Sequence, residues 1–183
     1  MQTPRTQSGF TLVETLVSVL LLTMTIVLPY YAIQRSLSAT FASRDDLIAS
    51  ALAQESLEFV HGVRDNNYLA GRPSADWMFG IDGGTGEVNC MSPNRCTIDA
   101  TRNTVAQAVV QCASGNCATR PLYLSSAIPN FYTHTVTGTK TKYVRYIQLT
   151  EISPNEMRVT ATVTWFDHGT HTITVTDVLT NWL

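Results

Sequence analysis

The chain has 183 residues, a formal net charge of −2 and only 14% charged residues, which leaves room for one modest domain beside a less polar segment. Its 12 Lys and Arg are scattered, so the single chain lacks the basic stripe of a phosphate-backbone binder.

Reading from the N-terminus, SGFTLVETLVSVLLLTMTIVLP at residues 8 to 29 places one carboxylate, Glu14, inside an apolar run. From Phe10 to Ile33 only Thr, Ser, Glu14 and Pro29 interrupt that run. As a helix it would be ~36 Å long, enough to cross hydrocarbon. A secretory signal peptide would have a shorter apolar core followed by a small-residue cleavage site, whereas the small-residue break here, Ser8-Gly9, precedes the run. Arg5 and the initiator amine stand before it with no acid among residues 1 to 9, while Arg35 and Arg44 beyond it are accompanied by Asp45 and Asp46. That asymmetry predicts a cytoplasmic N-terminus and an exported bulk.

The helical pattern then becomes amphipathic. Leu37, Phe41, Ile48, Leu52, Phe59 and Val63 fall on one face, with Gln34, Ser38, Arg44, Asp45 and Glu58 opposite. Residues 10 to about 62 therefore read as one helix of ~80 Å, in which Pro29 predicts a kink or a loosened turn. Gly62 and Asp65-Asn66-Asn67 are its predicted stop.

Beyond residue 64 the composition shifts to Thr, Gly, Asn and Val, and residues 71 to 103 read as loops with short extended pieces. The four cysteines, Cys90, Cys96, Cys112 and Cys117, lie close together after the apolar run, as disulfides of an exported domain would. Spacings of C-x5-C and C-x4-C without a nearby His disfavour zinc. Of three possible connectivities, the turn formers SPN and SGN favour 90 with 96 and 112 with 117. Tyr143–Glu151, Met157–Phe166 and Thr170–Leu179 alternate as strands, separated by SPNE and DHGT turns. Met157, Val159, Ala161, Val163 and Trp165 share one face, the expected seat of the amphipathic helix.

Other motifs suggest no chemistry. His168 and His171 form an H-x-x-H at a hairpin tip without a third ligand in sequence, better read as a solvated turn. GIDGGTGE at 80 to 87 lacks the Lys-Ser/Thr and helix of a phosphate cradle, and no nucleophile motif appears. Trp77, Phe79, Tyr123, Phe131 and Tyr132 read as core or sheet-facing rather than as a ligand patch. No catalytic residue, metal or cofactor is expected.

Gly9-Phe10-Thr11-Leu12-Val13-Glu14 followed by the apolar run resembles the class III signal of type IV pilins and secretion pseudopilins. Ala53-Gln54-Glu55-Ser56-Leu57-Glu58-Phe59-Val60, with Arg64-Asp65-Asn66-Asn67-Tyr68, is similar to a stretch of minor pilins of the type IV pilus modification kind. Pro29 lies slightly closer to Phe10 than the equivalent proline of most major pilins. The resemblance implies a non-enzymatic α+β protein, a long helix packed on a small antiparallel sheet. Its parts would be a leader at 1–9, an assembly helix at 10–33, an amphipathic half at 34–62 and an exported head at 63–183. It further implies cleavage by prepilin peptidase between Gly9 and Phe10 and N-methylation of Phe10. Storage in the lipid bilayer and filament assembly, through Glu14 and an inner-membrane platform, with other pilin subunits would follow. A minor pilus subunit is the expectation. A type II secretion pseudopilin and a pilin-stemmed adhesin or DNA-uptake module are the alternatives, with any nucleic-acid or surface ligand unproven.

Overall fold

A computed structural model describes residue 9, residues 11–136 and residues 138–181. The chain divides into two compact units, residues 1–45 and 46–183, and one helix, α1 (Leu12–Leu69), contributes to both. In the first unit α1 is exposed on every side: Leu12, Leu16, Leu20, Ile26 and Leu28 each leave more than half of their surface uncovered. A helix that is apolar all round requires an apolar environment.

The second unit is a sheet with the last part of α1 against it. After α1 come β1 (Cys96–Ile98), the short α2 (Val105–Ala108), β2 (Val109–Gln111), β3 (Tyr123–Leu124), β4 (Tyr132–Thr133), β5 (Thr139–Lys140), β6 (Val144–Ser153), β7 (Glu156–Phe166) and β8 (Thr170–Thr180). The principal sheet is antiparallel in the order β2-β1-β6-β7-β8, and a smaller one runs β4-β3-β5. The register from Val144 opposite Thr164 to Glu151 opposite Met157 holds β6 on β7, and a bulge at Glu151/Ser153 precedes the turn. The three alternating strands thus form the expected meander, each within two residues of its expected bounds. Met157, Val159, Ala161, Val163 and Trp165 are all buried. They join Ile147, Leu149 and the inner face of α1 in one hydrophobic core.

Two features of α1 differ from the expectation. Its inward stripe is Ala49, Leu52, Ala53, Ser56, Leu57, Val60, Val63 and Asn67, whereas Leu37 and Phe41 are exposed. Large side chains marked the predicted stripe; small ones occupy much of the real contact, because Ala and Ser let backbone and sheet approach closely. The helix also continues through Gly62 to Leu69. An added Cβ at Gly62 would meet nothing within 4 Å, so the glycine costs only its ~1 kcal/mol of helix propensity, which burial of Val60 and Val63 offsets. Asn67 does not break the helix; its Nδ2 donates to the carbonyls of Trp77 and Phe79 at 3.1 and 3.0 Å. The stop is Gly71, at φ +67°. Gly71 N donates to Tyr68 O at 2.8 Å and Arg72 N to Asn67 O at 3.1 Å, the paired bonds of a Schellman cap.

Candidate functional site

The first turns of α1 carry the predicted assembly residues. Glu14 N donates to Thr11 O at 3.1 Å and to Thr11 Oγ1 at 3.3 Å. Thr11 therefore caps the helix, and Thr11-x-x-Glu14 has the spacing of a capping box, a signal legible in the sequence. Glu14 is exposed, and among the described residues it pairs with no cation. A carboxylate in the first turn complements the positive end of the helix dipole. The Ser and Thr side chains within the apolar run return to their own backbone. Thr15 Oγ1 donates to Leu12 O at 2.8 Å, Ser18 Oγ to Glu14 O at 2.7 Å, Thr23 Oγ1 to Leu20 O at 2.8 Å and Thr25 Oγ1 to Leu22 O at 2.8 Å. These hydroxyls need no water, which suits a helix surrounded by lipid or by other helices. α1 is unbroken at Pro29, where the ring leaves Thr25 O without its usual i+4 donor. Phe10, the expected methylation position, and residues 1–8 of the leader lie outside the described residues; Gly9 is exposed.

The stretch around Ala53–Tyr68 proves to be an anchor for the second unit. Arg145 on β6 is wholly buried. Its Nη1 donates to Leu52 O at 3.2 Å and pairs with Glu55, while Nη2 donates to Ile98 O at 2.9 Å. One guanidinium thus ties α1, β1 and β6 together. His61 Nε2 lies 2.8 Å from Asp177 Oδ2 on β8. The hydrogen bond from His61 is the first cause holding the Asp177 carboxyl below its ordinary value. Nothing in the sequence marked Arg145 as different from other charged strand residues.

The cysteines form Cys90–Cys96 and Cys112–Cys117. His171 stacks on Trp165 with ring centroids 5.3 Å apart, and its Nε2 meets Asp167 O at 3.1 Å; His168 pairs with Asp167 instead. The H-x-x-H does not converge on a common point. In the glycine-rich loop, Glu87 Oε2 accepts Gly80 N–H at 2.8 Å. Burial, a hydrogen bond with Glu87 and the charge of Glu87 raise the Asp82 carboxyl to about 6. Trp77 is buried, Phe79, Tyr123 and Tyr132 are half-buried and Phe131 is exposed, so the aromatics do not form one patch. A cavity of about 460 Å³ lies beside the end of α1, walled by Tyr68, Leu69, Pro73 and Trp77 with Arg64 and Arg72. Arg72 stacks 3.3 Å from the Phe79 ring centre, and Arg64 holds Asp65 at 2.9 Å. Among the described residues no cluster of His, Cys, Asp and Glu could hold a metal.

By length and composition, α1 is able to cross a membrane. The prokaryotic N-terminal methylation motif matches residues 4–28, which include Gly9, Glu14 and most of the exposed apolar helix. The chain carries a type IV pilin-like prepilin signal. Such a signal marks a protein for prepilin peptidase and for assembly with other pilins, and with the exposed apolar helix it fits a membrane-anchored protein. No curated protein and no solved structure shows a significant match to the chain, so the prepilin signal is the comparison on which a functional reading rests.

Proposed function

We propose that this protein is a structural, non-enzymatic subunit of a type IV pilus, a minor pilin processed by prepilin peptidase. The observation that carries the reading is the methylation motif at residues 4–28, set on a helix whose apolar side chains are uncovered on all sides. Cleavage between Gly9 and Phe10 would create an amine a few residues from Glu14, and methylation would fall on that amine. Before assembly the helix is stored in the bilayer through its apolar surface. On assembly it exchanges lipid contact for packing against the helices of other pilin subunits at the inner-membrane platform. Glu14 then meets the amine of a neighbouring subunit. An ionised acid left without a partner among apolar helices costs ~3 kcal/mol or more, which penalises wrong axial registers. The minor-subunit part of the proposal rests on the resemblance, as sequence, of the Ala53–Tyr68 stretch to minor pilins.

The test is intact mass and N-terminal sequencing after expression with the cognate peptidase. The expected product begins with N-methyl-Phe10; a chain that still begins at Met1 beside an active peptidase defeats the proposal. A Glu14→Ala variant should still be cleaved but enter filaments at about a tenth of the normal level or less. Incorporation at the normal level and spacing would remove the docking role of Glu14.

A further inference from the structure

A second, smaller cleft in the head is unconnected with the assembly helix. It has a volume of about 100 Å³ and brings together the segment after β1, α2, the residue before Pro121 and the residues after β4. Its polar walls are Asp99, Arg102, Gln107, Arg120, His134 and Thr135. Asp99 is already saturated. Its Oδ1 accepts Thr101 N and Oγ1 at 3.2 and 2.6 Å, and its Oδ2 accepts Thr133 Oγ1 and His134 N at 2.8 and 3.0 Å. Arg102 Nε lies 3.7 Å from the same Oδ2, and its Nη2 donates to Thr135 Oγ1. Burial pushes the Asp99 carboxyl up, but the bonds from Thr101, Thr133 and the His134 amide outweigh it and hold the group below its ordinary value.

The remaining groups are donors in excess of acceptors. Arg120 Nε donates to Thr97 Oγ1 at 3.0 Å, and among the described residues no carboxylate pairs with Arg120, so its terminal N–H groups are uncommitted. Neither ring nitrogen of His134 meets a partner at hydrogen-bond geometry, although both are buried. Burial and the nearby positive charges of Arg145 and Arg120 push the His134 imidazole down to about 4, against the opposing pull of Asp99 and the Pro121 carbonyl. Two guanidiniums from separate segments, a buried imidazole that faces the Pro121 carbonyl without a well-formed hydrogen bond, and an amide side chain surround a space the size of a small ion. A buried polar group without a partner is costly, and guanidinium forks match the oxygens of phosphate and sulfate.

We propose that the head binds a tetrahedral oxyanion, phosphate or sulfate, free or as a monoester, between Arg102, Arg120 and His134. The anion would accept from the Arg120 fork, from the remaining Arg102 donors and, after a small ring adjustment, from the His134 ring. Its negative charge reverses the field that keeps the imidazole neutral, so anion binding and protonation of His134 reinforce one another. Asp99, Arg102, Arg120 and Arg145 are the charged groups around the ring, and the hydrogen bonds to Asp99 hold its carboxyl below its ordinary value.

The experiment is an NMR titration of the full chain in maltoside micelles, following the His134 ring and Arg120 Nε–H signals. Sodium sulfate, sodium phosphate and glycerol phosphate are compared with sodium chloride at matched ionic strength. Sulfate should shift both signals saturably, with a midpoint near ~1 mM that tightens as pH falls from 7 to 5; sulfate itself does not titrate in that range. Arg120→Gln should weaken binding by about tenfold or more, and Arg102→Gln serves the same purpose if the first variant fails to fold. Glycerol phosphate binding as well as inorganic phosphate identifies an ester-carrying ligand, and inorganic phosphate alone a free ion; either supports the proposal. Shifts that chloride reproduces, or no saturation by ~50 mM, overturn it, as does unchanged affinity in a folded Arg120→Gln protein.

Discussion

Arg145 is fully buried in the sheet, and its charge is tolerable there because Glu55 and the carbonyls of Leu52 and Ile98 surround it. Truncation to Ala strands both carbonyls, leaves Glu55 without its cation and opens a cavity. Arg145→Ala should therefore lower unfolding stability by about 3 kcal/mol or more, while Arg145→Met, which restores most of the volume, should lose less than half of that. Chemical denaturation followed by tryptophan fluorescence measures both; equal losses would show that volume matters little. The carboxyl pair at Asp82 and Glu87 gives a pH dependence of known sign. With a folded value near 6, above its ordinary value of 3.8, Asp82 contributes stability that is present below 3.8 and lost as pH rises through about 6. Burial pushes Glu87 up, but its bonds from Asp82, Gly80 and Gly84 outweigh that and hold it low, so its own contribution appears above 4.5 and is lost on acidification. Asp82→Asn should accordingly raise the melting temperature at pH 7.5 and flatten its fall between pH 4 and 7. A steeper fall in the variant would contradict the assignment. Neither device was legible in the sequence, since an Arg in an alternating strand and a Glu in a glycine-rich loop both read as solvated charges until their neighbours are known.

The end of α1 shows what periodicity does and does not reveal about an element. Gly62 and Gly71 have the same side chain and opposite roles, because one lies within the helix with open space around its Cβ position and the other holds a left-handed φ of +67°. Gly62→Ala should stabilise the protein by about 0.5–1 kcal/mol, and Gly71→Ala should destabilise it by about 1 kcal/mol. Thermal unfolding followed by circular dichroism at 222 nm separates the two, and a destabilised Gly62→Ala would place the functional helix end earlier than Leu69. The strands were easier to read than the helix end. β7 alternates Met157, Val159, Ala161, Val163 and Trp165 against polar neighbours, and a one-residue slip would turn every one of them to the wrong face. By contrast, the inward stripe of α1 is partly Ala49, Ala53 and Ser56, residues too small to stand out in any hydrophobicity pattern. The smaller sheet, with two residues in each of β3, β4 and β5, is too short for any periodicity to declare.

At the scale of the whole molecule, the chain divides into two compact units, and the proposed assembly role belongs to the first. None of the described residues around Glu14 belongs to the hydrophobic core of residues 46–183. Glu14→Ala should leave the melting temperature of the head within about 1 °C of wild type while filament incorporation falls; a matching loss in both would mean that Glu14 acts through stability. The division separates what the sequence determines by itself from what the fold decides. The prepilin signal at residues 4–28 and a helix able to cross a membrane were both readable in the sequence, because insertion in lipid depends on local sequence and helix length. Strand alternation likewise determines the meander, since each strand needs only one buried face. The disulfide partners are those the SPN and SGN turns favoured, whereas tertiary structure alone decided the Arg145 anchor and the Arg102–Arg120–His134 cleft. Both depend on groups distant in sequence meeting in space, where burial removes water and leaves every charge or donor to be satisfied by whatever the fold has brought beside it.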